Sequence, residues 1–317
     1  MLSTIRIVTK LVVAVALSVL MHITPLFADN VTYISSTGFD ANPCTAAQPC
    51  TSLADAIHNL DMFGGQVSCL NSPKIPDNSI TIGGSLSVTI DCTGTYPTSF
   101  ANSGAFVLSG NNLVITIRNL TINGRLGGNP AIAVFGSGSL VLENCVFEDI
   151  GRGPAIDIEP NGAFDVVITN SRISNSSSGV LLKPSAGGGV NATFDHVLVE
   201  SNVGGGIRVD GTGGGPVKVA ITDSSISLNG SNGVNAVSGP SGNVRVNLIR
   251  DVIASNGLAG VQSNQSNGGS ASVTVSQSTL SSNGSAWSII GGATLLSYQN
   301  NEVTGTTGTP PSPASFQ

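Results

Sequence analysis

The 317-residue chain is poor in side chains that perform chemistry: 9% of residues are charged, with 12 Lys+Arg, 18 Asp+Glu and three His. The densest charged group is Asp157, Glu159, Lys183, Arg208 and Asp210. A lysine that can take a proton, an arginine that can neutralise a carboxylate and three carboxylates that can hold calcium are the parts of a proton-abstraction site for an acidic sugar. The same five residues also alternate in sign, as a solvated ladder of ion pairs does, and such exposed pairs contribute only about 0–1 kcal/mol each. Lys218 and Arg245 are a second candidate, two like charges 27 positions apart that an anion between them would relieve. His196 beside Asp195 has the composition of a base with its orienting carboxylate. No nucleophile accompanies that pair, and geometry rather than adjacency makes one catalytic.

Whether these residues meet depends on the elements that carry them, and the chain repeats. Asn175, Asn202, Asn229, Asn256 and Asn283 are spaced by 27 residues four times running. Gly179, Gly206, Gly233 and Gly260 keep that interval, each followed by Val or Ile, as does the apolar column Phe194, Ile221, Leu248 and Val275. Upstream the step shortens to 24 (Pro130, Pro154, Ser178) and to 23 (Cys69, Cys92); near Ile173 the strand pattern favours 26 where the Asn column has 27. One period, 217–238, reads as three short strands, Val217–Ile221, Ser225–Leu228 and Gly233–Val237, with polar or Gly-rich corners. A unit this short cannot close a core alone and must stack on its neighbours.

The spacing therefore predicts an all-β right-handed parallel β-helix over 66–304, of roughly nine coils and about 45 Å at ~4.8 Å per coil. In that fold residues one period apart lie above one another. Glu159, Lys183 and Asp210 then stack, as do Arg118 with Glu143 and Asp223 with Arg250. The five Asn residues become a structural ladder of turn amides rather than a catalytic set.

Residues 1–28 read as a signal peptide, with Arg6 and Lys10 ahead of the apolar run Leu11–Leu20 and a small residue, Ala28, at the exit. That apolar run is short for a membrane span, and export to the periplasm, cell surface or exterior is expected. Residues 29–65 read as an N-terminal cap, with a helix near 51–60 started by Ser52, and 305–317 as a flexible Pro-containing tail. Trp287, read at the ladder glycine's place in the last coil, is expected to cap it. In an exported chain five cysteines suggest disulfides. Cys44 and Cys50 could close a small loop, Cys69 and Cys92 lie one coil apart, and Cys145 is left buried and unpaired. No CxxC pair or adjacent His suggests metal at these cysteines. The net charge of −6, or −8 once 1–28 is removed, lacks the basic footprint of nucleic-acid binding. The outward columns Lys218/Arg245/Ser272 and Ala220/Asn247/Thr274 lack the Thr arrays an ice-binding face requires.

The stretch from Tyr33 to Cys44 (YISSTGFDANPC), followed by PCTSLADAI to Ile57, resembles the entry motif of bacterial secreted right-handed β-helix repeat proteins of the pectate-lyase-like superfold. The runs ITNSRISNSSSGVLL, ITDSSISLNGSNGV and IRDVIASNGLAGV look like that family's coils. The resemblance spans the expected mature chain and implies the fold. It implies little of the activity, since the superfold hosts lyases, hydrolases, epimerases and adhesins. The NTD, DD, GHG and RIK motifs of polygalacturonases, the clustered calcium ligands and arginine of pectate lyases, and the DPH motif of alginate epimerases are missing, so no catalytic residue carries over. The expectation is a non-catalytic surface, matrix or carbohydrate-binding protein with an extracellular polysaccharide as partner. The alternative is a polysaccharide lyase or hydrolase for acidic glycans, built on the 157–210 patch and using calcium.

Overall fold

The computed structural model describes residues 30–71, 79–93, 98–100, 106–125, 127–265 and 268–314; the signal-peptide reading falls outside them. From Val31 onward the chain winds through three parallel sheets around one apolar core. In one turn, Val217–Thr222 belongs to sheet I, Ser225–Ser227 to sheet II and Val234–Val237 to sheet III. Among the described residues sheet I has 12 strands and sheets II and III nine each. Every strand pairs with its counterparts one turn away. Eight turns are complete, from Ser87–Asp91 to Ser285–Gly291, and partial turns flank them, so the expected nine coils include incomplete ones.

The two-residue alternation along each strand decides which side chains form the core. In sheet I the inward column runs Ile90, Ile117, Leu142, Ile168, Phe194, Ile221, Leu248 and Val275, each fully buried on its register partner. Burying a branched aliphatic side chain contributes about 1.5–3 kcal/mol, and each residue here depends on the turns above and below to be buried. Two corners bend through left-handed residues. After sheet I these include Asn170, His196, Asp223 and Arg250; after sheet II they include Asn175, Ser201, Leu228 and Ser255.

The amide ladder occupies the corner between sheets II and III and begins at Asn202, one turn after its expected start. Asn202, Asn229, Asn256 and Asn283 are buried. Each Nδ2 of the first three donates to the next Oδ1, at 2.9, 3.0 and 2.9 Å. Each of those Oδ1 atoms also accepts the backbone N–H of the preceding Asn, at 3.2, 3.2 and 3.0 Å. Asn175 is not a member: it is exposed with φ 52°, and the neighbouring Ser176 N–H bonds Asn202 Oδ1 at 3.0 Å. Ile173 pairs with Val199, a step of 26, so the strand register overrides the 27-residue Asn spacing there. The glycine column has its reason in the same corner. A Cβ on Gly233 or Gly260 would lie 2.8 Å from the amide nitrogen of Asn256 or Asn283.

Both ends are covered. Leu53–His58 forms the helix expected near 51–60; the Ser52 hydroxyl accepts the Asp55 N–H, and Leu53 and Ala56 are buried. Residues 305–314, read as a flexible tail, instead fold back on the last turn. Thr306 and Thr307 carbonyls accept the Ala286 and Trp287 N–H groups, and Ser312–Pro313 joins sheet I beside Leu296 and Ser297. Trp287 pairs with Val261, so it continues the inward β-branched column and not the glycine column; it is buried next to Gly308. Cys44–Cys50 and Cys69–Cys92 are disulfides with Cα separations of 4.6 and 4.7 Å, and Cys145 is free and buried.

Replacing Asn229 by Ala removes the acceptor of the Asn202 backbone N–H and side-chain amide and the donor to the Val199 carbonyl, and leaves the Asn256 oxygen only the residue-229 N–H. Unmet buried polar groups cost roughly 1–3 kcal/mol each. Asn229→Ala is therefore expected to lower the urea midpoint strongly, while Asn175→Gly, which keeps the left-handed turn, changes stability by less than about 0.5 kcal/mol. Equal effects would contradict the ladder as drawn.

Candidate functional site

Sheet I turns its outward residues to solvent. One column runs Ser139, Asp165, Asn191, Lys218, Arg245 and Ser272, and the next runs Val141, Val167, Thr193, Ala220, Asn247 and Thr274. The middle four rungs of these columns line an open groove of about 510 Å³. It extends by about 310 Å³ toward the corner made by Gly187–Gly189 and Pro216, again over Asn191 and Lys218. Small residues at Ala220 and Thr193 keep the floor low, while the polar column stands beside it.

The charges differ sharply in how they are used. Arg118 bonds Glu143 at 3.0 Å, Arg172 bonds Glu200 at 2.9 Å, Lys183 lies 3.6 Å from Glu159, and Arg208 and Arg250 meet Asp210 and Asp223 at 2.6 Å each. Lys218 and Arg245 are register partners on adjacent strands, both exposed, and among the described residues neither has a carboxylate within 4.0 Å. The carboxylate sharing their column, Asp165, accepts from Asn191 Nδ2 at 2.9 Å. The groove thus holds two cations without a direct ion-pair partner, beside amide and hydroxyl groups and with the Asp165 carboxylate two rungs away from Lys218.

The 157–210 residues all lie on the outer side of sheet III but divide into separately neutralised sets. Leu181 stands between Asp157 and Arg208 in their column. Asp210 is almost fully buried; burial opposes its ionisation, but hydrogen bonds from Thr212 and Arg208 outweigh it and hold the carboxyl below the usual range. Asp157 is pushed up to about 6, first by burial and then by Glu159, against the attraction of Lys183. With Glu159 on Lys183 and Asp210 locked by Arg208, the carboxylates of this patch do not gather around one point as a calcium cage would require.

His196 Nδ1 lies 3.0 Å from Asp195 Oδ1, and with Asp223 these residues bring three ligand atoms within 4.8 Å of one another. Arg250 grips both Asp223 oxygens, at 2.7 and 2.6 Å, so a guanidinium already supplies the positive charge there. Beneath them Asp251 takes the place in its turn that Ser224 and Ser278 take in theirs. Its two oxygens accept the Ser224 and Ile249 N–H groups at 2.9 and 3.0 Å. Burial pushes the Asp251 carboxyl up to about 7, with the Asp223 charge adding to it, and the two N–H donors oppose the shift.

Sequence reasoning singled out Lys218 and Arg245 but not Asp165, Asn191 or Thr193. Continuing their column upstream by 27 and then 26 residues would have found the first two.

The family model for the right-handed β-helix region matches residues 67–220 and 155–309. The chain belongs to the right-handed β-helix family. No curated protein sequence matches it. Among solved structures this β-helix protein is similar to the pectate lyase Pel9A, with 17% identity, a TM-score of 0.62 and coverage of 90% of this chain and 78% of that one. Weaker likenesses are to a GH136 lacto-N-biosidase from Eubacterium ramulus (12% identity, TM-score 0.47, 86% and 67% covered) and a rhamnogalacturonan lyase (11%, 0.45, 79% and 74%). At these identities the likeness to Pel9A establishes the fold alone.

The raised carboxyls carry a pH dependence. Asp251 binds its proton more tightly when folded, so its contribution favours the folded state at low pH. That contribution is lost as pH rises from about 4 through about 7, an effect of up to roughly 4 kcal/mol. Asp157 acts with the same sign up to about pH 6. The melting temperature is expected to fall across this window, and Asp251→Asn should flatten the fall. A wild-type profile that rises through the window would contradict the burial described.

Proposed function

We propose that this protein is an exported, non-catalytic binding module for acidic polysaccharide, and that the outer face of sheet I is its binding surface. The observation that carries this is the unpaired Lys218–Arg245 pair, register-matched in a groove of about 510 Å³, while five other described cations are each engaged by a carboxylate. Two like charges on neighbouring strands repel each other, and a polymer carrying a carboxylate on each sugar removes that repulsion while giving each cation a partner. Asn191, Asn247 and Thr193 supply donors and acceptors for sugar hydroxyls, and Ala220 and Val167 present apolar surface to a ring face. The fold shared with a pectate lyase makes a long acidic glycan a natural occupant. A binding role is favoured over turnover because the carboxyls with raised protonation, Asp157 and Asp251, lie outside the groove. Groups tuned for proton transfer are expected within the site they serve.

Polygalacturonate or alginate is expected to bind more tightly than an uncharged glucan in affinity electrophoresis, with binding that weakens as salt rises. Lys218→Ala and Arg245→Ala should each cost about tenfold in affinity, the value of one charge-assisted hydrogen bond. Release of unsaturated uronides by the wild-type protein, abolished in Lys218→Ala, would replace this reading with a lyase. Unchanged binding in the double variant would move the site elsewhere.

A further inference from the structure

A second groove, of about 250 Å³, lies on the outer side of sheet III, around the solenoid from the first. Its floor is the outward column Leu181, Arg208 and Asn235, and its rim includes Pro154, Gly205 and Ser231. Arg208 is the one charged residue lining it, and Asp210 cancels that charge by accepting from Nε and Nη2 at 2.8 and 2.6 Å. This bond also fixes the guanidinium plane and leaves its remaining N–H groups to donate. Asn235 Oδ1 is shielded from solvent and has no hydrogen-bond donor. Buried acceptors are almost always met, and a turn of this amide about χ2 brings its oxygen into the groove that Asn235 lines, where a donor from outside the chain can meet it.

We infer that this groove is a separate binding site for a single neutral sugar unit. The site has no net charge, unlike the sheet I groove, so an anion gains nothing here. Its volume lies just below the usual 300–1,000 Å³ of pockets for larger ligands, which suits one ring. Leu181 and Pro154 form an apolar platform for a ring face. One sugar hydroxyl accepts from Arg208, and another donates to the Asn235 amide oxygen once the amide turns about χ2. The protein would then hold acidic polymer on one side and a neutral sugar on another.

Saturation-transfer NMR with free glucose, galactose, mannose and N-acetylglucosamine tests this. At least one is expected to bind with a Kd of order millimolar, as ligands of about a dozen heavy atoms do. Asn235→Leu removes the acceptor and Ser231→Phe fills the rim; each should weaken binding by about tenfold or more. The Lys218→Ala/Arg245→Ala double variant should bind that sugar unchanged and should not prefer galacturonate over galactose, which separates this site from the sheet I groove. The inference is overturned if none of the four sugars receives saturation from the wild-type protein. It is equally overturned if binding persists in both Asn235→Leu and Ser231→Phe, or disappears in the double variant.

Discussion

Everything in this molecule depends on the fact that no turn can satisfy itself. A single coil of 23–27 residues has inward aliphatics with nothing to cover them and backbone amides pointing along the axis. Both needs are met only by the coil above and the coil below. The amide ladder is the strictest expression of this. Asn202, Asn229, Asn256 and Asn283 are buried where polar groups are costly; the first three donate to the next turn's amide, and Asn283 Nδ2 donates to the Ile253 carbonyl. Gly206, Gly233 and Gly260 follow from that corner, since any side chain would enter the space of the ladder amides.

The same stacking sorts the charges. Residues one turn apart on an outward column are brought close in space, so the spacing in the chain decides which charges become partners. Steps of 25 and 27 place Glu143 on Arg118 and Arg250 on Asp223. Where the column reads Lys218 then Arg245, the identical geometry leaves two cations side by side. At this place the register leaves positive charge in a groove floored by small residues, and that gives the sheet I face its chemical character.

Buried carboxyls show the cost of the scheme. Asp251 stands in a column where Ser224 and Ser278 sit, and a serine hydroxyl there can both donate and accept, as Ser224 does to Thr222 O and from the Val197 N–H. An ionised carboxylate can only accept, so burial holds the Asp251 proton on. The role is structural, and it ties the protein's stability to mildly acidic conditions.

The sequence by itself determined the architecture and the inward columns. These follow from short-period alternation and a long repeat, both of which are properties of spacing. It also singled out Lys218 and Arg245. Only the tertiary structure decided what depends on where atoms lie around each corner. Asn175 left the ladder because one turn is a residue shorter, and residues 305–314 found partners on the last coil. Leu181 separated Asp157 from Arg208, and the two outer faces acquired one groove that holds two cations and one without net charge. The physical reason is that a repeat specifies which residues stack, whereas the shape of a groove depends on how far each corner projects beside the sheet.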